Sequence, residues 1–246
     1  MKDEISSLKV SDKVELQYKK KGNDNRKNRS YKNNQEYLKN IGLGPTLIID
    51  CDYDDKLSDR NIKSLVVQLS ISYSCIRKSK TPLKMILCGV SQRLKYGLHK
   101  TLAESWLGVE ILNDKLEKVI SDRFSNTDLN YEVIYLTADS TNILSPSQPS
   151  EGNENQTNQG FNNKQVFIIG GIIDRNRYKN ISKLRAEEFN IKTAKLPIIE
   201  SGITLCSNQV LTINHVIECI VKYNETCNWY TTFDSILPKR KKDQAS

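Results

Sequence analysis

Histidine is scarce in this chain: His99 and His215 are the only two in 246 residues, which excludes a histidine metal cluster. The six cysteines (Cys51, Cys75, Cys88, Cys206, Cys219 and Cys227) form no CxxC pair, and their spacing fits no zinc site. Several sit in apolar runs, where a free thiol acts as a small hydrophobe. The sequence therefore predicts a reducing compartment, no disulfides and no metal. No apolar stretch approaches the ~20 residues needed to cross a bilayer. The opening MKDEISSLKV carries acids and lacks an apolar core, so no secretory signal is expected. There is no GxGxxG after the first predicted strand, no GxxxxGK followed by Ser or Thr, and no GxSxG. Those absences disfavour a dinucleotide site, a P-loop and a nucleophile elbow. What remains is acid–base work by carboxylates, or the positioning of a reactive cofactor.

Basic charge is plentiful. The formal net charge is +8 and the pI about 9.0, with 27% charged and 37% hydrophobic residues. An anionic partner is expected, nucleic acid first and a membrane surface second; a merely soluble basic protein is the plain alternative. Residues 1–40 read as a basic, flexible extension, with Lys19, Lys20, Lys21, Arg26, Lys27, Arg29 and Lys32 close together. That stretch is either a phosphate-binding arm or an inert solvated tail. A body at 41–241 and a tail at 242–246 follow, the body interrupted by a polar, flexible loop at about 145–163.

In the body, apolar strand-like runs alternate with helical periodicity. TLIIDC (Thr46–Cys51), LKMILC (Leu83–Cys88), Val109–Leu112, VIYLT (Val133–Thr137), Val166–Ile173 and TAKLPI (Thr193–Ile198) read as extended. Between them, Ile62, Leu65, Val66, Leu69, Tyr73 and Ile76 fall at helical spacing. Helices are also predicted over Ser91–Glu104, Asp114–Phe124 and Thr212–Tyr223, and one carrying Ile181, Leu184 and Phe189. The pattern predicts an α/β domain with a mostly parallel sheet and helices on both faces. His215 lies between apolar neighbours and reads as a half-buried structural residue.

Two acidic places invite chemistry. Val166–Tyr178, VFIIGGIIDRNRY, is a doubly apolar run crossed by Gly170 and Gly171. Paired glycines there imply close approach of a backbone or a ligand. Asp174 falls just beyond, where open α/β sheets bind ligands; it either performs chemistry or only starts a turn. The cluster Asp50, Asp52, Asp54 and Asp55 is the second place, with turn and cap formation as the alternative.

Taken together and in this order, YLTADS (Tyr135–Ser140), IGGIIDRNRYK (Ile169–Lys179), TAKLPI and VLTINHV (Val210–Val216) carry a resemblance. DCDYDD (Asp50–Asp55) and LPKRK from Leu237 agree with them. The chain resembles the SPOUT-type tRNA (guanine-9-N1) methyltransferases from about Leu47 to Lys241. The resemblance implies a Rossmann-like SPOUT fold with a C-terminal trefoil knot, a monomer, and S-adenosyl-L-methionine as methyl donor with S-adenosyl-L-homocysteine as product. It implies tRNA as partner. With no long apolar stretch and no visible organelle presequence, no membrane association is expected and residence in nucleus and cytoplasm is. Carried over by motif, the cofactor site uses Leu136, Gly170, Asp174, Arg175, Asn176, Arg177, Tyr178, Ser182, Leu196, Asn208, Gln209 and Val210, with Thr212 beside them. Relatives often have Cys where Ser182 stands, and more basic residues where Asn208 and Gln209 stand, so those contacts are expected through backbone groups.

Guanine N1 carries a proton and must lose it to accept a methyl group. Asp174 is the expected general base, with Asp54, Asp55 and Asp139 as understudies. Arg175 and Arg177 are expected to hold phosphate or the charge developing on O6. Arg93, Lys95, Lys100 and the Lys239–Lys242 tail are expected to add phosphate contacts. The competing reading is a non-catalytic RNA-binding protein that keeps the fold.

Overall fold

A computed structural model describes residues 29–125, 127–146, 160–174, 177–205 and 210–238. The chain divides into two units, Met1–Lys39 and Asn40–Ser246. In the first, the described residues begin a helix that runs over 29–40. The rest of the basic run, Lys19 to Lys27, lies outside the described residues.

Among the described residues, the second unit has six strands: β1 (Thr46–Asp50), β2 (Lys84–Cys88), β3 (Val109–Ile111), β4 (Glu132–Leu136), β5 (Gln165–Gly170) and β6 (Lys192–Ala194). They lie in the order β3-β2-β1-β5-β4-β6, and every pairing is parallel. Every residue of β1 and β5 is buried. That is what an apolar run without alternation implies: both faces are covered.

The covering helices are α1 (Asp59–Lys78), α2 (Gln92–His99), α3 (Leu116–Ile120), α4 (Ile181–Glu188), α5 (Ile213–Thr226) and α6 (Trp229–Ile236). Alternation along the strands sorts the two faces. Ile48, Ile86, Cys88, Tyr135, Val166 and Ile168 meet Leu116 and Val119 of α3 and Ala186 of α4. On the other face Phe167 meets Phe161 at 4.8 Å between ring centroids, and Phe161 meets Tyr223 of α5 at 5.0 Å. Ser58 caps α1 by accepting from Asn61 N, and Ser91 caps α2 by accepting from Leu94 N. The expected parallel α/β architecture is thus found.

Several boundaries differ. The strand expected to reach Ile173 ends at Gly170. Gly171 N still donates to Asp50 O at 2.7 Å, and then the chain leaves the sheet. The helix expected to Glu104 ends at His99; Leu102 takes a left-handed φ of 55° and opens a short 3-10 turn, Ala103–Ser105. The helix expected over Asp114–Phe124 is regular only for Leu116–Ile120, then widens into a π turn at Ser121–Ser125. On α4, Leu184 is exposed and Ala186 is buried in its place. Trp229–Ile236 is a helix that periodicity alone did not reveal. Its start is marked by Asn228, whose Oδ1 accepts from Thr231 N at 2.9 Å. Most of the expected loop at 145–163 lies outside the described residues, but Phe161 near its end is a core residue.

Candidate functional site

A cavity opens over the carboxyl ends of β4, β5 and β6. Leu136 ends β4 and Thr137 to Asp139 follow it, Ile169 and Gly170 end β5 with Ile172 just beyond, and Lys195, Leu196 and Ile198 follow β6. The register brings these ends together: Leu136 pairs with both Ile169 and Ala194. Ile181 and Ser182 at the start of α4, and Ile213 and Val216 on α5, complete the wall with Val210 and Leu211.

Of the residues named from sequence, Leu136, Gly170, Asp174, Tyr178, Ser182, Leu196 and Val210 all line this cavity. They come from four separated segments, so the fold does the gathering. Arg177 is exposed beside it, its guanidinium 5.1 Å from the Tyr178 ring centroid. Arg175, Asn176, Asn208 and Gln209 lie outside the described residues, as does the Lys239–Lys242 tail. Thr212 is the exposed N-cap of α5 and is not part of the lining.

Asp174 is half-buried. Its Oδ2 accepts from Tyr178 N at 2.8 Å, and its carbonyl accepts from Arg177 N at 3.2 Å. The turn role foreseen for Asp174 is therefore real, and the same turn aims the residue at the cavity. One residue earlier, Ile173 O accepts from Asn61 Nδ2 at 2.6 Å, which ties the turn to α1. Gly170 sits at the floor. A Cβ there would come 3.0 Å from Ser182 Oγ and 3.3 Å from Tyr135 Oη, so a larger residue would press on both.

The acidic cluster after β1 does different work. Asp50 is fully buried and accepts at Oδ2 from Tyr135 Oη and from Arg185 Nε, each at 3.2 Å. Since Tyr135 gives its proton to Asp50, Tyr53 Oη, 2.9 Å away, is the donor to Tyr135. A second Arg185 nitrogen reaches Asp52 Oδ2 at 3.0 Å. Burial pushes the Asp50 carboxyl above its ordinary value, while the Arg185 charge and the hydrogen bonds pull it back. Burial and the nearby Asp50 push both phenols up. This network lies directly behind Gly170 and Ser182.

Two further acids are engaged elsewhere. Asp54 accepts from Ser91 Oγ at 2.6 Å and from Arg93 at 3.0 Å, and exposed Asp55 pairs with Lys56 at 2.6 Å. Neither lines the cavity, whereas Asp139 does. Arg93, expected as an open phosphate contact, also holds Leu57 O and Asp59, so its guanidinium is spent on the fold. Lys195, inside the TAKLPI motif yet not singled out there, turns out to line the cavity. His215 is half-buried on α5, as its neighbours suggested.

Comparison with known proteins places the chain in a family. A tRNA (guanine(9)-N1)-methyltransferase from Kluyveromyces lactis is 31% identical over 202 residues, 80% of this chain and 59% of that protein. One of the same description from Candida glabrata is 30% identical over 207 residues, 82% of this chain and 64% of that protein. The chain thus spans roughly three fifths of the length of these relatives. The crystal structure of full-length spTrm10 in complex with SAH superposes with a TM-score of 0.65 at 27% identity, covering 80% of this chain and 98% of the other. The family model for tRNA (guanine(9)-N(1))-methyltransferase TRM10/TRM10A matches residues 2–242, and the chain belongs to that family.

Proposed function

We propose that this protein transfers a methyl group from S-adenosyl-L-methionine to N1 of guanine at position 9 of tRNA. The observation that carries the reading is the convergence of Leu136, Gly170, Asp174, Tyr178, Ser182, Leu196 and Val210 on one cavity. The lining fits the donor. Leu136, Ile169, Ile172, Leu196, Ile198 and Leu211 offer an apolar surface for a purine, and Gly170 leaves the room a side chain would fill. When bound there, the cofactor supplies a methyl group on a positively charged sulfur.

The chain's own residues do the rest. Asp174, at the rim of this lining, takes the N1 proton of the guanine so that the ring nitrogen has a lone pair to offer. The Tyr178 N–H on Oδ2 fixes the direction in which the carboxylate points. Arg177, exposed beside Tyr178, meets phosphate or the charge that grows on O6. The apolar wall excludes water from the reacting atoms.

Position 9 has to be unstacked before its base can enter, at a cost of a few kcal/mol. Exposed lysines such as Lys95 and Lys100 offset that cost through phosphate contacts. The reading includes a monomeric enzyme with the C-terminal knot of its fold family, working in nucleus and cytoplasm. Mapping by reverse transcription tests the position. A methyl group on N1 blocks pairing, so extension should stop one nucleotide 3′ of nucleotide 9 in the treated tRNA; a new stop elsewhere would contradict the assignment.

A further inference from the structure

Among the described residues that line the cavity, Lys195 is the one cation. It shares the wall with two carboxylates, Asp139 and Asp174; the other lining residues are uncharged. Lys195 follows β6 directly and its backbone is fixed on both sides. Its N–H donates to Asn142 O at 2.8 Å, and its carbonyl accepts from Leu144 N at 2.8 Å. The side chain is 23% exposed, with Nζ 3.0 Å from Glu200 Oε1. A lysine stem is otherwise rotamer-rich, and such an ion pair restricts it before any ligand arrives.

S-adenosyl-L-methionine carries a sulfonium, an ammonium and a carboxylate. Asp139 and Asp174 suit the two cationic centres and repel the carboxylate. A carboxylate drawn out of water against such a wall needs a cation or N–H donors facing it. We infer that Lys195, held in place by Glu200, binds the carboxylate of the cofactor's amino-acid end and so sets which way the cofactor lies. Glu200 and the ligand carboxylate then share one ammonium group, which has three N–H donors. The inference rests on the cofactor reading above and adds a residue that lies inside the TAKLPI motif but is not among the site residues carried over from it.

Calorimetric titration of the full chain tests it with two ligands. One is S-adenosyl-L-homocysteine. The other is methylthioadenosine, which keeps the purine and the thioether and lacks the amino-acid end. Lys195→Met should weaken S-adenosyl-L-homocysteine about tenfold and change methylthioadenosine by less than about twofold. Lys195→Arg, which keeps the charge, should restore most of the lost affinity. Retained methylthioadenosine binding also reports that the cavity of the variant is folded. Equal losses for both ligands would overturn the inference, because they would mean general distortion of the wall. Unchanged S-adenosyl-L-homocysteine affinity with slower single-turnover transfer would overturn it too, moving Lys195 to the guanine. If the unaltered protein binds neither ligand, the cofactor reading itself falls, and this inference with it.

Discussion

Arg185 spans two acids of one turn: its Nε is 3.2 Å from Asp50 Oδ2, and a terminal nitrogen is 3.0 Å from Asp52 Oδ2. Asp50 is wholly inaccessible, and only 17% of the Arg185 side chain is exposed. The pair therefore fastens α4 to the end of β1 in a place that water hardly reaches. Ser182 lies one helical turn before Arg185, on the wall of the cavity.

Arg185→Met should remove about 3–5 kcal/mol of stability near neutral pH, because a buried carboxylate loses its partner. The loss should depend on pH. Burial already raises Asp50 above its ordinary value, and Arg185 works against that rise. A raised carboxyl contributes stability that is full below its unfolded value and is lost as pH rises through its folded value. Without Arg185 the folded value rises further, so the variant loses more over that span. Its deficit against the unaltered protein should be smallest near pH ~4 and grow toward neutrality. Chemical denaturation at several pH values measures this; a deficit that is flat or grows toward acid would contradict it.

Gly171→Ala should cost about 1–3 kcal/mol by overpacking. The added Cβ would lie 2.8 Å from Asp50 O and 3.2 Å from Cys51 Cα, which are backbone atoms and cannot swing aside. At Gly170 the neighbours are the ends of Ser182 and Tyr135 side chains, so Gly170→Ala should be milder in thermal melting and heavier on cofactor affinity. The reverse order would mean that the glycine pair is placed differently.

Arg93 and Lys95 test the proposed division between structural and RNA-binding cations. Arg93 is bound to Asp54, Leu57 O and Asp59. Arg93→Ala should leave the salt dependence of tRNA binding unchanged while lowering the melting temperature. Lys95→Ala should flatten the slope of log affinity against log salt by ~0.7–0.9, the share of one phosphate contact. A flattened slope for Arg93→Ala would mean that its ion pairs open on RNA.

Asp174→Asn keeps the turn, because the amide oxygen can still accept from Tyr178 N, and removes the carboxylate proposed as the base. Single-turnover methyl transfer should fall by roughly 10²–10⁴-fold, the usual worth of general base catalysis, with tRNA affinity nearly intact. Full activity would move the base to Asp139, which lines the same cavity.

The strands were legible because TLIIDC, LKMILC and VFIIG are apolar on both faces, and that pattern permits little but a covered parallel strand. The cavity residues were legible only through the motif resemblance, since no spacing rule brings Leu136, Gly170 and Leu196 together. The sequence shows Asp50 within an acidic cluster but not its buried pairing. Its partner Arg185 is 135 positions away, and local sequence carries no sign of such a pair. Phe161 was hidden by its polar surroundings, and α6 by the β-favouring residues of WYTTFDSI, which tertiary packing overrides. Lys195 carries no sequence signal that sets it apart, because a lysine in an extended segment looks like any solvated edge residue.

The most direct measurement is methyl transfer from labelled S-adenosyl-L-methionine to two tRNA transcripts, one with guanine at position 9 and one with uracil there. The account predicts incorporation into the first and none into the second. Incorporation into both would keep a methyltransferase and discard the position. No incorporation into either, with both transcripts still bound, would contradict the account and leave a non-catalytic RNA-binding protein.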